Sequence, residues 1–519
     1  MSNPTTRGGT PYHKDMVIGA VLAILAQVDD PSLYRFPSEA RRVESTGERT
    51  AGERPWLGIT PGVAHEEGGM TVGEVEADGP AARAGLRAGD RILRFGDEEI
   101  GDFDALSRAL SKRRPGERVR LVADREGESL DLEIVLGRRP GGRENGLTIW
   151  KTSSFRLGVI LLEFSDGRHN PAFARKDFER MLFSRGEYVG RSPSGERVYG
   201  SLADYYAENS GGRFAVSGRV FDWVTLEQPR EYFEEKSMGD REARKRLLSR
   251  ALELVRERDG KECLDDLDGL VFLYAGRQSY LRPKLLWPHR ANQRVGNRSL
   301  PYYLTAEGGR YFNALNVHVH EFGHMLGLPD QYGKKHATGI GKWCTMAVGH
   351  MGAGESGPHR PFHLCVWCKE RLGWTSVTTI SPKEAQRLKL SAVEKDGSMV
   401  FRVLLTPDGS DALLLENRQR VGFDTDLEGT GLLLWRVRRG APPDLVEAHG
   451  RSVPEASLVE PEEIPWPSLY NRDFTPTTDP ASPSGVFITD IVLSEGVAYF
   501  KVGFPKEGKS RELEKRKDY

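Results

Sequence analysis

The sequence predicts a multidomain α+β protein, and three observations support this prediction. The chain has 519 residues, which is enough for about two to four domains. Residues 55–140 contain short apolar runs separated by glycine and proline, whereas residues 155–376 combine strand-like runs with helical periodicity. Residues 377–505 return to short strand-like runs, with Gly, Pro and Asp between them. We therefore expect a compact module, a mixed domain and a β-rich domain, in that order.

Residues 1–54 form a segment ahead of the first predicted domain. Basic residues precede an apolar run at residues 16–26, which is too short to span a bilayer comfortably as a helix. This order suggests a secretory signal peptide, with an amphipathic or buried helix as the alternative. Residues 29–54 are charged and have little to bury, which predicts a flexible linker. We therefore expect a secreted or cell-envelope protein without a stable membrane span.

The module at residues 55–140 contains the run Gly79-Pro80-Ala81-Ala82-Arg83-Ala84-Gly85-Leu86. A short helix in this run is expected to end at Gly85, where a left-handed residue can close it. The elements predicted after it are strands at residues 91–95, 119–123 and 130–136 and a helix at 104–110. The run and the order of these elements resemble a bacterial PDZ domain.

The PDZ resemblance implies a binding site for the end of a peptide. In that family, the loop that corresponds to Leu57, Gly58 and Ile59 presents backbone N–H groups to a C-terminal carboxylate, and the peptide adds as an edge strand. Gly58 would permit the close approach of the two backbones. The alternative is a PDZ fold retained only as a brace between domains.

The mixed domain at residues 155–376 follows a glycine-rich linker at residues 141–146. Its predicted strands lie at residues 155–164, 213–224 and 268–275, and its predicted helices lie at 202–208, 240–258 and 312–326. The last of these helices carries His320-Glu321-Phe322-Gly323-His324. Two imidazoles one helical turn apart share a face and can hold one Zn²⁺ with positions left open. Glu321 stands beside the first of them, where its carboxylate can act as a general base.

A third metal ligand is expected shortly after this helix. Gly327 suits the left-handed end of a helix, and Pro329 prevents easy continuation, so the chain can turn back toward the metal. In the metzincin pattern a His stands six residues after the second ligand, and here that position is Asp330, an oxygen ligand that Zn²⁺ also accepts. Met346, further along, resembles the Met-turn that forms an apolar floor beneath such a site.

The stretch from His320 to Tyr332 resembles the immune inhibitor A family of bacterial metallopeptidases, and other segments agree in order along residues 155–505. These segments are Leu161-Leu162-Glu163-Phe164-Ser165-Asp166, Asp204-Tyr205-Tyr206, Ser210-Gly211-Gly212, Leu286-Trp287-Pro288-His289-Arg290, Trp367-Cys368-Lys369, Leu372-Gly373-Trp374, Leu415-Glu416-Asn417-Arg418-Gln419 and Gly431-Leu432-Leu433-Leu434-Trp435. The resemblance implies a secreted zinc endopeptidase. The mixture of sheet and helix fits a catalytic domain of the zincin (metzincin-like) type.

The β-rich region at residues 377–505 is expected to be sandwich-like. Its runs Glu416-Asn417-Arg418 and Asp424-Thr425-Asp426 allow a structural Ca²⁺ site, but the spacing of an EF-hand is absent and solvated loops are the favoured interpretation. The charged tail at residues 506–519 predicts disorder.

Cysteine usage and charge exclude several classes. Four cysteines in 519 residues do not make a disulfide scaffold, and a Cys₄ metal site is excluded because Cys365-Val366-Trp367-Cys368 has no second such pair. Burial or a disulfide, with Cys344 as a possible partner, is favoured over metal binding for these residues. The net charge is −1, so no nucleic-acid partner is implied.

The expected reaction is the hydrolysis of peptide bonds in protein substrates by a metal-activated water. His320, His324 and Asp330 would bind Zn²⁺, and Glu321 would take a proton from the water and pass it to the departing amine. Tyr332 is a candidate for stabilising the oxyanion, and His289 and Tyr303 are weaker candidates. Should Asp330 not be the third ligand, the next candidates are His350, His359 and His363.

A second hypothesis is a peptide-binding protein that uses its PDZ-like module and whose peptidase domain is inactive. The presence of Glu321 argues against it, because an inactive enzyme has no chemical need for a general base. Protein substrates and C-terminal peptides are therefore the expected partners under the first hypothesis, and C-terminal peptides alone under the second.

Overall fold

The structure is a computed structural model that divides into two compact units, residues 45–149 (the small unit) and residues 1–44 with 150–519 (the large unit). The residues it describes are 30–39, 55–64, 69–75, 79–102, 105–106, 109–110, 112–113, 116–138, 143–144, 147–279, 284–332, 340–380, 385–449, 464–469, 471–478 and 485–503. The signal-like run at residues 16–26 and the tail at 506–519 lie outside this part. Within it, no helix has the length and apolar character needed to cross a bilayer.

The small unit is built on antiparallel strands that turn one apolar face inward. Its strands are β1 (Pro55–Trp56), β2 (Ile59–Ala64), β3 (Met70–Val75), β4 (Arg91–Phe95), β5 (Glu98–Glu99), β6 (Arg118–Arg125), β7 (Glu128–Val135), β8 (Gly137–Arg138), β9 (Arg143–Glu144) and β10 (Leu147–Thr148), and helix α1 spans Pro80–Arg83. The main sheet has the order β2-β3-β4-β6-β7, and β1 pairs with β8. In β6 the alternating residues Val119, Leu121 and Ala123 are buried, as a strand with one core face requires.

The three strands that the sequence predicted after α1 are present, and Ala105, Leu106, Ala109 and Leu110 are helical. Asp90 is buried at the start of β4, where its carboxylate accepts the Arg87 N–H at 2.7 Å and pairs with Arg125 at 2.7 Å. Burial opposes ionisation of Asp90, but these contacts outweigh it and lower the pKa of the carboxyl group.

The large unit contains a central five-stranded sheet. Its strands are β11 (Ser154–Glu163), β14 (Ala215–Thr225), β15 (Gly269–Tyr274), β16 (His289–Val295) and β17 (Arg298–Ala306), and a separate pair is formed by β12 (Gly190–Arg191) and β13 (Arg197–Val198). The order is β14-β11-β15-β17-β16, with β16 antiparallel to β17 and the other neighbours parallel. Every residue of β15 is buried, as expected for a parallel strand covered on both faces.

The described part of the large unit also contains helices. They are α2 (Arg175–Phe183), α3 (Leu202–Asn209), α4 (Arg230–Glu234), α5 (Arg241–Arg244), α6 (Arg250–Asp259), α7 (Leu315–Met325), α8 (Val366–Leu372) and α9 (Val393–Asp396). A π-helical segment, Lys245–Ser249, joins α5 to α6, so the predicted helix at 240–258 is present with one irregular stretch. Its apolar residues Leu247, Ala251 and Val255 are buried in the core. Short 3₁₀ turns occur at Pro31–Leu33, Gly341–Trp343, Val348–Met351, Gly357–His359 and Gly422–Asp424.

The C-terminal part of the large unit is β-rich, as predicted. One sheet has the order β18-β20-β21-β22-β23, and another has the order β19-β25-β24. The strands are β18 (Ser376–Ile380), β19 (Gln386–Leu390), β20 (Met399–Leu404), β21 (Asp411–Arg418), β22 (Gly431–Arg438), β23 (Asp444–Val446), β24 (Phe487–Ser494) and β25 (Val497–Gly503). The two sheets touch where the rings of Phe401 and Phe500 meet edge to face, with centroids 6.1 Å apart.

Residues 30–39 differ from the flexible linker that the sequence predicted there. The N–H of Arg35 donates to the Arg387 carbonyl at 3.1 Å, and the N–H of Lys389 donates to the Arg35 carbonyl at 2.9 Å. The ring of Tyr34 packs edge to face on Tyr499, 5.2 Å between centroids. These residues therefore dock on β19 and β25, because the contact between the two tyrosine rings and the backbone pairing offset the polarity of the surrounding sequence.

The residues expected in solvated loops near 416 and 424 are instead buried. Glu416, Asn417, Arg418 and Asp424 are all fully inaccessible to solvent. The Arg418 guanidinium donates to Asp424 Oδ2 at 2.9 Å and to the Trp343 carbonyl at 3.0 Å. The favoured interpretation was wrong, because charge alone predicts exposure whereas here a guanidinium satisfies the carboxylates inside the protein.

Candidate metal centre

Helix α7 holds the two candidate imidazoles on one face while its other face enters the core. Phe322 is fully buried and packs edge to face against Phe155 of β11, with centroids 5.0 Å apart. The helix ends as the sequence predicted: Gly327 has φ +93°, and the N–H of Leu328 donates back to the Gly323 carbonyl at 3.1 Å. This turn reverses the chain and brings Asp330 back to the helix.

Three predicted ligand atoms converge at this point. The Nε2 atoms of His320 and His324 lie 3.2 and 3.3 Å from Oδ1 of Asp330. The imidazoles are mostly buried, with 11% and 14% of their side-chain surface exposed, whereas the Asp330 side chain is 55% exposed. The cluster of His320, His324 and Asp330 (the histidine cluster) therefore opens to solvent on its carboxylate side.

Backbone carbonyls fix the orientation of both imidazoles. His320 Nδ1 lies 2.9 Å from the Thr345 carbonyl, and His324 Nδ1 lies 2.8 Å from the Leu328 carbonyl. A carbonyl oxygen only accepts, so each Nδ1 carries the hydrogen and each Nε2 keeps a free lone pair in the neutral ring. Both lone pairs are thereby directed toward the point where Asp330 stands, which is the arrangement that histidine ligands of metals adopt.

The histidine cluster fits a zinc ion in both donor type and spacing. Two neutral imidazoles and a carboxylate form a donor set that Zn²⁺ accepts, and a tetrahedral shell with bonds of about 2.0–2.1 Å sets its ligand atoms about 3.3 Å apart. The measured separations of 3.2 and 3.3 Å agree with that value. Three donors in such a shell leave one position for a water or a substrate.

The local electrostatics favour an added positive charge here. Burial opposes protonation of His324, but Asp330 and Glu321 raise the pKa of this imidazole above its usual range. Burial likewise opposes ionisation of Asp330, and its contacts with His320 and His324 lower its pKa well below the usual range. A site that stabilises a proton between these groups also suits a dication.

Glu321 follows the first imidazole on α7 and is partly buried. Its charge acts on Tyr332 and on Arg290 of β16: burial and the carboxylates of Asp330 and Glu321 together raise the pKa of Tyr332 well above its usual range. The Arg290 guanidinium is desolvated, which lowers its pKa, and Glu321 opposes that shift. Glu321 thus acts electrostatically on a phenol, a guanidinium and the imidazole of His324.

Met346, the candidate Met-turn residue, packs against helix α7 at Gly323. It is fully buried, and its sulfur approaches Gly323 so closely that a Cβ at Gly323 would stand 2.5 Å from Sδ. Gly323 occupies the helical position between the two imidazoles. A glycine inside a helix costs stability relative to alanine, and the close approach of Met346 is the reason for it here.

Tyr332 and His350 stand beside the histidine cluster. The Tyr332 ring lies 5.8 Å and the His350 ring 4.9 Å from the ring of His320, measured between centroids. His350 Nδ1 donates to the Ala347 carbonyl at 2.6 Å and lies 3.2 Å from the Tyr332 hydroxyl. Burial, together with His320, lowers the pKa of His350 to about 4, so the ring is neutral at physiological pH. Tyr332 remains a protonated phenol that can donate a hydrogen bond.

Among the described histidines, His289, His318, His359 and His363 do not belong to the histidine cluster. His318 is buried beside Tyr303, whose hydroxyl lies 2.9 Å from His318 Nδ1. His289 is held between the Trp287 carbonyl and the Tyr302 hydroxyl. His359 is buried, and His363 Nε2 pairs with Glu208 at 2.7 Å. Among the described residues, the group of side chains at this site that could hold a metal ion consists of His320, His324 and Asp330.

In the small unit the predicted carboxylate loop forms a tight bend. Leu57 is buried and its carbonyl accepts the N–H of Ala81 at 2.8 Å. Gly58 has φ +81°, and a Cβ there would stand 3.0 Å from the Gly79 Cα. Ile59 begins β2 and pairs with Val75 of β3. The backbone at Gly58 is therefore one that only glycine adopts without strain.

Sequence reasoning missed the groups that support the site. The Thr345 and Leu328 carbonyls are backbone atoms, so the type of residue at these positions does not predict their contacts with the imidazoles. Gly323 did carry a signal, because a glycine in a helix interior often marks a close packing contact. The edge strand β16 was also missed, since its sequence His-Arg-Ala-Asn-Gln-Arg-Val is too polar to read as a strand.

Two family models match the chain. Residues 55–136 match the PDZ domain model, and residues 159–268 and 298–374 match the immune inhibitor A peptidase M6 catalytic domain model. One stretch of the chain is therefore similar to a PDZ domain, and a second is similar to the catalytic domain of a metallopeptidase family. This second stretch is immune inhibitor A-like, as the sequence motifs indicated.

Curated relatives agree at modest identity. Immune inhibitor A of Bacillus thuringiensis subsp. alesti is 25% identical over 253 residues, covering 37% of this chain and 36% of the relative. The pre-pro-metalloprotease PrtV of Vibrio cholerae serotype O1 (strain M66-2) is 28% identical over 252 residues, covering 38% and 26%. A probable periplasmic serine endoprotease of the DegP-like type from Halomonas elongata is 27% identical over 189 residues, covering 33% and 39%. The chain thus spans between a quarter and two fifths of the length of these relatives.

Proposed function

We propose that this protein is a zinc-dependent endopeptidase that hydrolyses peptide bonds in protein substrates. The observation that supports this most directly is the convergence of His320 Nε2 and His324 Nε2 on Asp330 Oδ1, with both Nδ1 atoms fixed by carbonyls. His320, His324 and Asp330 would hold the ion. A bound Zn²⁺ supplies Lewis acidity and makes a coordinated water more acidic.

Glu321 is the proposed general base and acid. Its carboxylate neighbours both imidazoles on α7 and would accept a proton from the attacking water, then deliver it to the nitrogen of the departing amine. The protonated phenol of Tyr332 would donate a hydrogen bond to the oxygen on which negative charge develops. Met346 would keep the two imidazoles in place by packing under Gly323.

The substrate is proposed to bind along β16. This strand is at one end of the central sheet and pairs on one side with β17. An extended peptide can add to such an edge through main-chain hydrogen bonds. Arg290 lies in β16 within the electrostatic influence of Glu321, so a peptide on this edge would pass the proposed base. The four parallel strands and the one antiparallel edge strand of the central sheet also support a zincin-like domain.

The PDZ domain is proposed to recognise the C-terminal end of a protein or peptide at Leu57, Gly58 and Ile59. The positive φ of Gly58 and its close approach to Gly79 make the bend on which carboxylate recognition would depend. Secretion or placement in the cell envelope is proposed because the relatives include a periplasmic protein by name and because residues 16–26 resemble a signal peptide.

The test of the peptidase proposal is casein hydrolysis by the purified full-length chain. Hydrolysis should be lost on dialysis against a chelator such as 1,10-phenanthroline and should return on addition of Zn²⁺. The reason is that the three ligands only hold the ion, and the reaction needs the ion itself. Activity that persists in the metal-depleted protein would contradict the proposal.

The test of the PDZ proposal is a titration of the full-length chain with paired peptides that differ only in a free or an amidated C-terminus. The free carboxylate should bind more tightly, and Gly58→Val should remove the difference because a side chain is strained at φ +81°. Equal binding of the two peptides would reject carboxylate recognition. Peptide binding without casein hydrolysis would favour the inactive, peptide-binding alternative.

A further inference from the structure

Three of the four cysteines meet at one point in the large unit. Cys344 follows the turn Gly341–Trp343, and Cys365 and Cys368 belong to the first turn of α8. The Cys368 sulfur lies 3.9 Å from that of Cys344 and 3.7 Å from that of Cys365. All three residues are fully buried and free of disulfides. We call this group the cysteine cluster.

The spacing of the sulfur atoms is that of ligands to a single ion. Metal–sulfur bonds of about 2.3 Å in a tetrahedral shell place the sulfurs about 3.8 Å apart, and a trigonal shell places them slightly further. The measured 3.7 and 3.9 Å agree with both, and all three sulfur atoms lie within 4.8 Å of one another. A disulfide would use two of these atoms and leave no role for the third.

The backbone supplies a donor suited to a thiolate. The N–H of Cys365 donates to the Cys344 sulfur at 3.3 Å, which stabilises negative charge on that atom. Buried thiolates need a cation nearby, because charge without compensation is costly in the interior. Thiolate sulfur is a soft ligand that selects Zn²⁺ or Cu⁺ over hard cations.

We propose that Cys344, Cys365 and Cys368 form a second metal site, which binds one thiophilic d¹⁰ ion, Zn²⁺ or Cu⁺, through three thiolates. The sequence offered no second Cys-x-x-Cys and so excluded a four-cysteine site, and the favoured interpretation was burial or a disulfide. The structure places Cys344, which lies 21 residues before Cys365, beside this pair, so the number of candidate sulfur ligands is three. In the described part of the chain, this donor group contains no fourth Cys, His, Asp or Glu, which suits trigonal Cu⁺ or Zn²⁺ with one exogenous ligand.

Such an ion would tie α8 to the segment that supports the histidine cluster. Cys344 directly precedes Thr345, whose carbonyl holds His320, and Met346, which packs under Gly323. The proposed role is structural, since all three ligands are sealed from solvent. It does not depend on the proposed peptidase activity.

The test is metal analysis and X-ray absorption spectroscopy on the full-length chain purified under reducing conditions and reconstituted with Zn²⁺ or with Cu⁺. A sulfur shell at about 2.3 Å is expected at the zinc edge or the copper edge, and the edge that shows it identifies the ion. The ion with this sulfur shell should remain in a His320→Ala/His324→Ala variant and should be absent from a Cys365→Ser/Cys368→Ser variant. The half-buried Cys263 lies outside the cluster, so Cys263→Ser is the matched control and should keep it.

Absence of a sulfur shell with either ion would overturn the proposal. So would a disulfide among the three cysteines in protein isolated without reductant and alkylated before mass spectrometry. If the double cysteine variant does not fold, the spectrum of the unaltered chain decides the question alone. A sulfur-bound ion in a chain that fails to hydrolyse casein would support this site while rejecting the peptidase proposal.

Discussion

The histidine cluster and the cysteine cluster lie on either side of one short segment, residues 344–346, and differ in exposure. Thr345 holds His320 through its carbonyl, while the preceding residue contributes its sulfur to the cysteine cluster. The Asp330 side chain is 55% exposed, whereas the three cysteines are fully buried. Catalytic metal sites keep an open position and structural sites are closed, so the two clusters match those two classes.

The difference shows that donor type alone does not define what a cluster can do. Neutral imidazoles with a carboxylate at an open edge can admit a substrate, whereas sealed sulfurs can only hold parts of the chain together. Both depend on this three-residue segment, and Arg418 contacts the residue just before it by donating to the Trp343 carbonyl. The predictions that follow test this division, beginning with the largest effect.

Glu321→Gln should remove activity and leave the histidine cluster able to bind zinc. The amide keeps the shape of the side chain but cannot accept the proton, so kcat should fall by about 10³-fold or more. Casein hydrolysis and zinc content measure the two effects separately. The exposed Glu187 provides the control, and Glu187→Gln should leave both unchanged. Normal turnover by the Glu321 variant would mean that another group is the base.

Arg418→Met should destabilise the segment that both clusters share. It removes the donors to Asp424 and to the Trp343 carbonyl and leaves the buried Asp424 carboxylate without its guanidinium partner, which costs about 3–5 kcal/mol. Urea unfolding of the full-length chain measures the loss. The exposed pair of Arg438 and Asp444 gives a matched control, since Arg438→Met should cost less than about 1 kcal/mol. Similar losses for the two variants would show that the buried network has no special role.

Asp330→Ala should weaken zinc binding by about 100-fold or more, because it removes a ligand rather than a supporting contact. The metal-depleted protein can be titrated with buffered Zn²⁺ while casein hydrolysis is followed, which reports on the open site alone. An unchanged half-saturation point would exclude Asp330 as the third ligand. His350 would then be the first alternative, since its ring lies 4.9 Å from that of His320.

Gly323→Ala should cost about 1–3 kcal/mol, because the new methyl group would stand 2.5 Å from the Met346 sulfur. Adding Met346→Ala creates room for that methyl group, so a double-mutant cycle should show coupling between the two positions. Gly101→Ala is the control, since a Cβ there meets no atom within 4 Å. Additive effects of Gly323→Ala and Met346→Ala would show that Met346 does not pack on the helix in the way described.

The smallest predicted effect is a pH dependence. Burial opposes ionisation of Asp424, but Arg418 and further contacts outweigh it and lower its pKa to about 2. Unfolded Asp has a pKa of about 3.9, so this carboxylate stabilises the fold above about pH 4 and loses that contribution as the pH falls toward 2. Urea midpoints between pH 5 and 2.5 should fall less steeply in Asp424→Asn than in the unaltered chain. In the control Asp444→Asn, the urea midpoint should fall with pH as steeply as in the unaltered chain. An equally steep fall in Asp424→Asn would show that other groups cause the pH dependence.

Local patterns predicted much of the chain and of the candidate site. The helical spacing of His320 and His324 and the helix-ending residue Gly327 suffice to predict the turn that brings Asp330 back, and the structure has that geometry. Buried parallel strands such as β15 are also visible, because both faces are apolar. Edge strand β16 could not be predicted in this way, because most of its residues are polar and only its first and last residues are buried.

Groupings made by tertiary structure could not be predicted. The sequence offered Cys344 only as a possible disulfide partner of Cys365 or Cys368, because no periodicity links residues that are 21 and 24 positions apart. The burial of Arg418 with Asp424 was likewise hidden, because charged residues are expected at the surface unless a partner is known. The carbonyls of Thr345 and Leu328 have no signature in residue type at all.

The docking of residues 30–39 has a consequence for biosynthesis. The Thr378 hydroxyl donates to the Pro37 carbonyl across 341 residues, and β19 and β25 follow later still. A ribosome therefore releases this N-terminal stretch long before its partner strands exist, and chains are made at about 5–20 residues per second. Residues 30–39 therefore cannot dock until β19 and β25 have been synthesised.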